Sequence, residues 1–145
     1  MISASQNVVI DTQKQNINNQ NGLISALTNL TIYSGQLVNQ TGKITTNKQA
    51  TINATDLDNR QGSIASNRHQ LIINANNINN AKGLIYAVKA LTINADGKLT
   101  NTDNKATAGI ITQHNLNATV KQLDNQNGLI SVASMLKLIS PEKIK

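Results

Sequence analysis

Five stretches of this chain share one spacing. Ile17-Asn18-Asn19-Gln20-Asn21-Gly22-Leu23-Ile24 is followed by Leu37-Val38-Asn39-Gln40-Thr41-Gly42-Lys43-Ile44 and Leu57-Asp58-Asn59-Arg60-Gln61-Gly62-Ser63-Ile64. Then come Ile78-Asn79-Asn80-Ala81-Lys82-Gly83-Leu84-Ile85 and Leu123-Asp124-Asn125-Gln126-Asn127-Gly128-Leu129-Ile130. The pattern is apolar-x-Asn-x-x-Gly-x-Ile. Counting Leu99, which opens a longer copy, the openers at 17, 37, 57, 78, 99 and 123 are 20, 20, 21, 21 and 24 residues apart. A unit of about 20 residues cannot bury a face alone, but it can do so by stacking on copies of itself.

Each copy has a second half with the period-2 alternation of a half-buried strand. It reads Leu30-Thr31-Ile32, Ala50-Thr51-Ile52, Leu71-Ile72-Ile73, Leu91-Thr92-Ile93 and Leu136-Lys137-Leu138. Between opener and Ile, Asn and Gly tolerate left-handed backbone, so a tight corner belongs there. Strands of successive coils would pair in parallel, ~4.8 Å apart, and equivalent residues would lie above one another. Ile24, Ile44, Ile64, Ile85 and Ile130 would form one buried column, with Ile110 or Ile111 in the remaining rung. The expected fold is an all-β, right-handed parallel β-helix of about six coils of 20–24 residues. The expectation is a single segment over 1–145, with clear repeats over 17–139, a partial coil in 1–16 and a tail or cap in 140–145.

Composition agrees with a narrow core. The chain has 145 residues, two Tyr and no Phe or Trp, while 23 Asn and 12 Gln make up about a quarter of it. A large globular core leans on aromatic bulk; a stacked coil must be filled with Ile, Leu, Val and Ala. Amide-rich composition alone also admits a disordered segment, and the registered repeat argues against it.

The columns assign structural roles. Asn19, Asn39, Asn59, Asn80, Asn101 and Asn125 are expected to stack as an amide ladder. Gly22, Gly42, Gly62, Gly83, Gly109 and Gly128 would complete the same corner. Between Asn101 and Gly109 lie seven residues, Thr102 to Ala108, where other copies have two; this insertion should bulge as a surface loop. The long corner and Leu116-Asn117-Ala118, with Ala in place of Ile, put the regularity of the fifth rung in question.

The apolar-Asp-Asn-x-x-Gly-x-Ile element at 57–64 and 123–130, with the Leu91-Thr92-Ile93-Asn94-Ala95 tail, resembles the repeats of filamentous haemagglutinin. It is similar also to repeats of contact-dependent growth-inhibition exoproteins of Gram-negative bacteria. The resemblance covers about residues 17–139. It implies a piece of a long filament, exported by an outer-membrane two-partner-secretion transporter and secreted or displayed on the bacterial cell surface. Such filaments act as adhesins or carry a toxin to a neighbouring cell, and their partner is a surface receptor or glycan. The chain has no recognisable secretion domain or toxin domain, so a fragment of a longer chain is expected.

Candidate chemistry is sparse. There is no Cys, hence no disulfide, thiolate metal site or cysteine nucleophile. The longest apolar runs fall far short of the ~18 residues that span a bilayer, and Met1–Ile10 lacks the regions of a signal peptide. No membrane insertion is expected. The acids Asp11, Asp56, Asp58, Asp96, Asp103, Asp124 and Glu142 fall at unlike repeat positions, although Asp56 and Asp58 flank Leu57 and share an outward face. A β-helical polysaccharide-degrading enzyme would need carboxylates gathered in one cleft, so no enzyme is expected. His69 and His114 lack local partners for a metal site, and no cofactor motif occurs.

The formal charge is +6, which permits polyanion binding. Lys48, Arg68 and Lys89 each lie six residues after a repeat Gly, so stacking would align them as a basic stripe suited to a sulfated, heparin-like polyanion or a glycan. Nucleic acid is not expected, because two Tyr give bases no stacking platform. Thr31, Thr51 and Thr92 would face outward, but Ile72 and Lys137 interrupt any flat Thr array, and high β-propensity accounts for them. Tyr33 and Tyr86 sit at different repeat positions, each at most a single sugar-stacking contact.

Overall fold

The computed structural model describes residues 1–105 and 107–145, and every regular element in them is a strand. The strands form two parallel sheets wound into a solenoid. The first has seven strands, one per coil: Ile2–Ala4, Leu23–Ala26, Lys43–Thr46, Ser63–Ser66, Leu84–Ala87, Gly109–Thr112 and Ile130–Val132. The second is built from longer strands, Leu30–Val38, Ala50–Asp58, Leu91–Thr100 and Leu116–Asp124. In the three other coils the long strand is split, into Val8–Asp11 with Ile17–Asn18, Leu71–Ala75 with Asn77–Asn79, and Leu136–Ile139 with Lys143–Ile144. The expected parallel β-helix is observed, with seven coils where about six were read.

Register is set by the apolar columns. Ile24, Ile44, Ile64, Ile85 and Ile110 stack rung on rung and are all buried, so Ile110 is the residue that fills the longer copy. Leu30, Ala50, Leu71, Leu91 and Leu116 make a second buried column, and Leu37, Leu57, Ile78, Leu99 and Leu123 a third. A one-residue slip would turn each of these columns outward. Small residues lie further along the long strand: Ser34, Ala54, Ala75 and Ala95, where the chain bends.

The strand with Ala118 keeps its register from Leu116 as far as Val120. Ala118 pairs with Ile93 and Val120 with Ala95, and both Ala118 and Val120 are buried. Volume lost at the first position is regained two residues later, so the pair fills the same space in reverse order.

The corner before the first sheet differs from expectation in its conformation. The left-handed residue is neither the Asn nor the Gly. It is the residue between them: Asn21, Thr41, Gln61, Lys82, Asp103 and Asn127, with φ between 52° and 58°. These side chains are exposed. Gly is required for proximity: a Cβ at Gly42, Gly62, Gly83 or Gly128 would run into the main-chain carbonyl of the Asn one coil below. Gly109 is a correction to the column. It pairs with Leu84, one residue past Gly83, and its φ is +117°.

Within the insertion, Ala106 lies outside the described residues. Asn104 takes over at the vacated corner: its amide donates to Asn80 O and Gly83 O and accepts from Leu129 N–H. At the far end Lys143–Ile144 pairs with Gln122–Leu123.

Candidate functional site

The most ordered polar feature is the Asn column. Each Nδ2 donates to the Oδ1 of the next coil: Asn19 to Asn39, Asn39 to Asn59, Asn59 to Asn80, Asn80 to Asn101 and Asn101 to Asn125, at 2.6–2.8 Å. Asn39, Asn59, Asn80 and Asn101 have no exposed surface. Each also donates toward main-chain carbonyls of the corner, as Asn59 does to Leu84 O at 3.1 Å. A buried amide unmatched in this way would lose about 1–3 kcal/mol. Asn39, Asn59, Asn80 and Asn101, fully buried and paired on both sides, are out of reach of a ligand. Their role is to hold the coils in register.

In four of the six copies the residue before the corner Asn carries a second job. Asn18, Asp58, Asn79 and Asp124 accept from the backbone N–H two residues on. This Asx turn explains the Asp-Asn pair of the repeat.

The second corner carries the basic residues. Lys48, Arg68 and Lys89 are all exposed there. Their alignment is less regular than counting from Gly suggests. Five residues separate Ser66 from Leu71, whereas four separate Thr46 from Ala50 and Ala87 from Leu91. The ladder resumes its register on the strand side, where Lys89 N–H donates to His69 O. His69 thus occupies the rung between Lys48 and Lys89, and Arg68 stands one residue earlier. Ser134 N–H donates to His114 O, which puts the second histidine on the same corner. The missed signal was the extra residue in 67–70, visible once distances are counted to the following strand.

The carboxylates are mostly spent on cations and amides. Arg60 forms a two-pronged ion pair with Asp58, at 2.9 Å through Nε and 2.7 Å through Nη2. Partial burial pushes the Asp58 carboxyl up, but the Arg60 hydrogen bonds and charge outweigh it and hold the pKa below its ordinary value. Lys98 Nζ lies 3.0 Å from Asp124 and lowers that carboxyl too. Gln122 and then Lys121 lower Glu142. Asp56 shares the outward face with Asp58, as expected, and accepts from the N–H and Nδ2 of Asn77. Tyr86 accepts from Gln113 on the first sheet.

A second amide ladder went unread. Asn94 donates to Asn74 and Asn74 to Asn53, at 2.7 and 2.8 Å, on the outer face of the long strands. Its sequence signal was the residue after the inward Ile: Asn53, Asn74 and Asn94 each follow Ile52, Ile73 or Ile93.

These features belong to a repeat that specifies its own stacking. No curated protein and no solved structure matches the chain. The family model described as haemagglutinin repeat matches residues 2–82, 50–103 and 86–140. Those spans cover almost the whole solenoid, and the chain therefore belongs to the haemagglutinin repeat family, a structural repeat of filamentous exoproteins rather than an enzyme family.

Proposed function

We propose that the chain is a stalk and adhesion segment of a secreted, cell-surface exoprotein of the filamentous haemagglutinin type. It would project adhesive or toxic regions and contribute weak, repeated contacts with a host or neighbouring cell, whose avidity exceeds any single-site affinity. Export of the parent chain would use an outer-membrane two-partner-secretion transporter. The observation that carries this reading is the continuous parallel stack of seven coils, with the buried corner amides paired from coil to coil. A stiff rod follows: seven coils at ~4.8 Å rise roughly 35 Å. Two tandem copies joined in register should double the length measured by small-angle scattering and leave the cross-section unchanged. Beads coated with the chain should adhere to cells. A widened, globular particle would sink the stalk reading, and beads no stickier than bare ones would sink the adhesion reading.

A second reading, a sulfated-polyanion module, draws support from the corner that carries Lys48, His69 and Lys89 with Arg68 beside them. Elution from heparin should then require high salt and should fall in salt when Lys48, Arg68 and Lys89 are replaced by Ala. Elution at low salt, unchanged by the triple substitution, would remove this reading.

A further inference from the structure

The long strands bend after their third inward residue, and the bend is not uniform. From the inward Ile to the next opener takes five residues in most coils: Ile32 to Leu37, Ile52 to Leu57, Ile73 to Ile78. The first coil takes seven, Ile10 to Ile17, and the fifth takes six, Ile93 to Leu99. The extra residues bulge. In the first coil they form a turn with Gln13 and Lys14 both left-handed, at φ 53° and 68°. In the fifth they shift the register between Ala95 and Lys98. Between the two bulges lies a groove of about 610 Å³. It spans several rungs and runs across the strands, along the solenoid axis.

The groove has three kinds of surface. Its floor is the small column Ser34, Ala54 and Ala75. Its side is the second amide ladder, of which Asn53 and Asn74 face the groove. Tyr33, 47% exposed, sits in register beside Asn53, and Asp11 is in register beside Tyr33. Asp96 stands at the other end. The main chain at the bend is already paired: Gly35 N–H to Gln15 O, Asn76 N–H to Thr55 O, Gly97 N–H to Asn76 O. An extended peptide could not add a strand here. Two carboxylates against one lysine disfavour an anion. What the groove offers is side-chain amides, carboxylate acceptors, one aromatic face and an apolar floor.

We propose that this groove binds an uncharged oligosaccharide laid along the axis. Each pyranose would bridge about one rung of ~4.8 Å. Its C–H face would lie on Tyr33 and the alanine floor, and its hydroxyls would bond to Asn53, Asn74, Asp11 and Asp96. The Asn ladder sets the donor direction: it runs from Asn94 toward Asn53 and leaves Asn53 Nδ2 with no protein partner among the described residues. This site is on a different face from the basic corner. It goes beyond the stalk reading, which stands whether or not the groove binds sugar.

The chain's two tyrosines make the test direct. With Tyr86→Phe as background, Tyr33 is the single fluorescent side chain. The whole chain is titrated with cellohexaose, maltohexaose, chitohexaose, mannohexaose and a heparin hexasaccharide, while side-chain amide resonances are followed by NMR. At least one neutral probe should saturate the Tyr33 signal and move the Asn53 and Asn74 amides. Tyr33→Ala and Asp96→Asn should each weaken it by ~10-fold, the loss expected for one good stacking or hydrogen-bond contact, with the far-UV spectrum unchanged. Replacing Lys48 and Lys89 by Ala should leave it as it was. The proposal falls if none of the neutral probes saturates, if only the heparin fragment binds, or if both groove variants keep full affinity.

Discussion

Asn59→Asp keeps the shape of the corner and changes one atom. In the native chain Asn59 accepts from Asn39 Nδ2 at 2.7 Å and donates to Asn80 Oδ1 at 2.7 Å and to Leu84 O at 3.1 Å. The carboxylate can still accept, but it cannot donate, so two bonds worth ~1 kcal/mol each are lost. Asn80 Oδ1 is then left facing another acceptor, which costs a further ~1–3 kcal/mol. The charge itself is buried, since Asn59 has no exposed surface. The total for Asn59→Asp at pH 7 is about 4–6 kcal/mol, and Asn59→Ala, which brings no charge, should lose about 3–5 kcal/mol. Burial raises the pKa of the new carboxyl in the folded state. Below the unfolded value of ~3.9 it is protonated in both states, so the charge penalty is absent, and it accumulates as pH rises through that value toward the folded one. Urea unfolding followed by circular dichroism at pH 3.5 and pH 7 measures both quantities. The reasoning fails if Asn59→Ala costs less than ~1 kcal/mol, or if the deficit of Asn59→Asp is the same at both pH values.

Gly62→Ala should destabilise the rung by several kcal/mol, because its Cβ would collide with Asn39 O on the coil below; the loss of amide-exchange protection should centre on residues 39–64. Ala118→Ile alone should overpack the core and cost ~1–3 kcal/mol, and adding Val120→Ala should recover most of it; a double-mutant cycle in urea reads the coupling, and additive losses would refute the volume exchange. Asp58 and Asp124 are both held below the ordinary value of 3.8, so their ion pairs add stability above that pH, and this is lost as pH falls through their lowered values. Asp58→Asn with Asp124→Asn should therefore lower the melting temperature modestly at pH 7, since exposed pairs contribute about 1 kcal/mol or less each, and change little once pH is below both lowered values, which flattens the melting curve against pH in the acid range.

Most of the stacking was legible because it is periodic. Each inward column repeats at a fixed offset from its opener, and stacking turns an offset into a contact. The left-handed position was misplaced because the rule for Asn and Gly is statistical, whereas five residue types take that conformation at the six corners here, with their side chains in solvent. The Gly column was legible for a different reason than its true one: those glycines make room for a carbonyl on another coil, which no local rule contains. Gly109 was misassigned because it was counted from Asn101, across the insertion; counted back from Ile110 it falls one short of the repeat. The basic stripe suffered the same way, since one extra residue before Leu71 moves His69, not Arg68, into the rung.

The sequence by itself determined the architecture, since a 20-residue unit with four apolar positions and one invariantly placed Asn has one way to bury its face. It also determined the identity of the buried ladder. Only the tertiary structure decided what the irregular residues do. Asn104 mends a corner, Val120 compensates Ala118, and two bulges four coils apart enclose a groove beside Tyr33. Each of these depends on which residues lie above one another, and an insertion of one or two residues changes that without altering the local pattern at all.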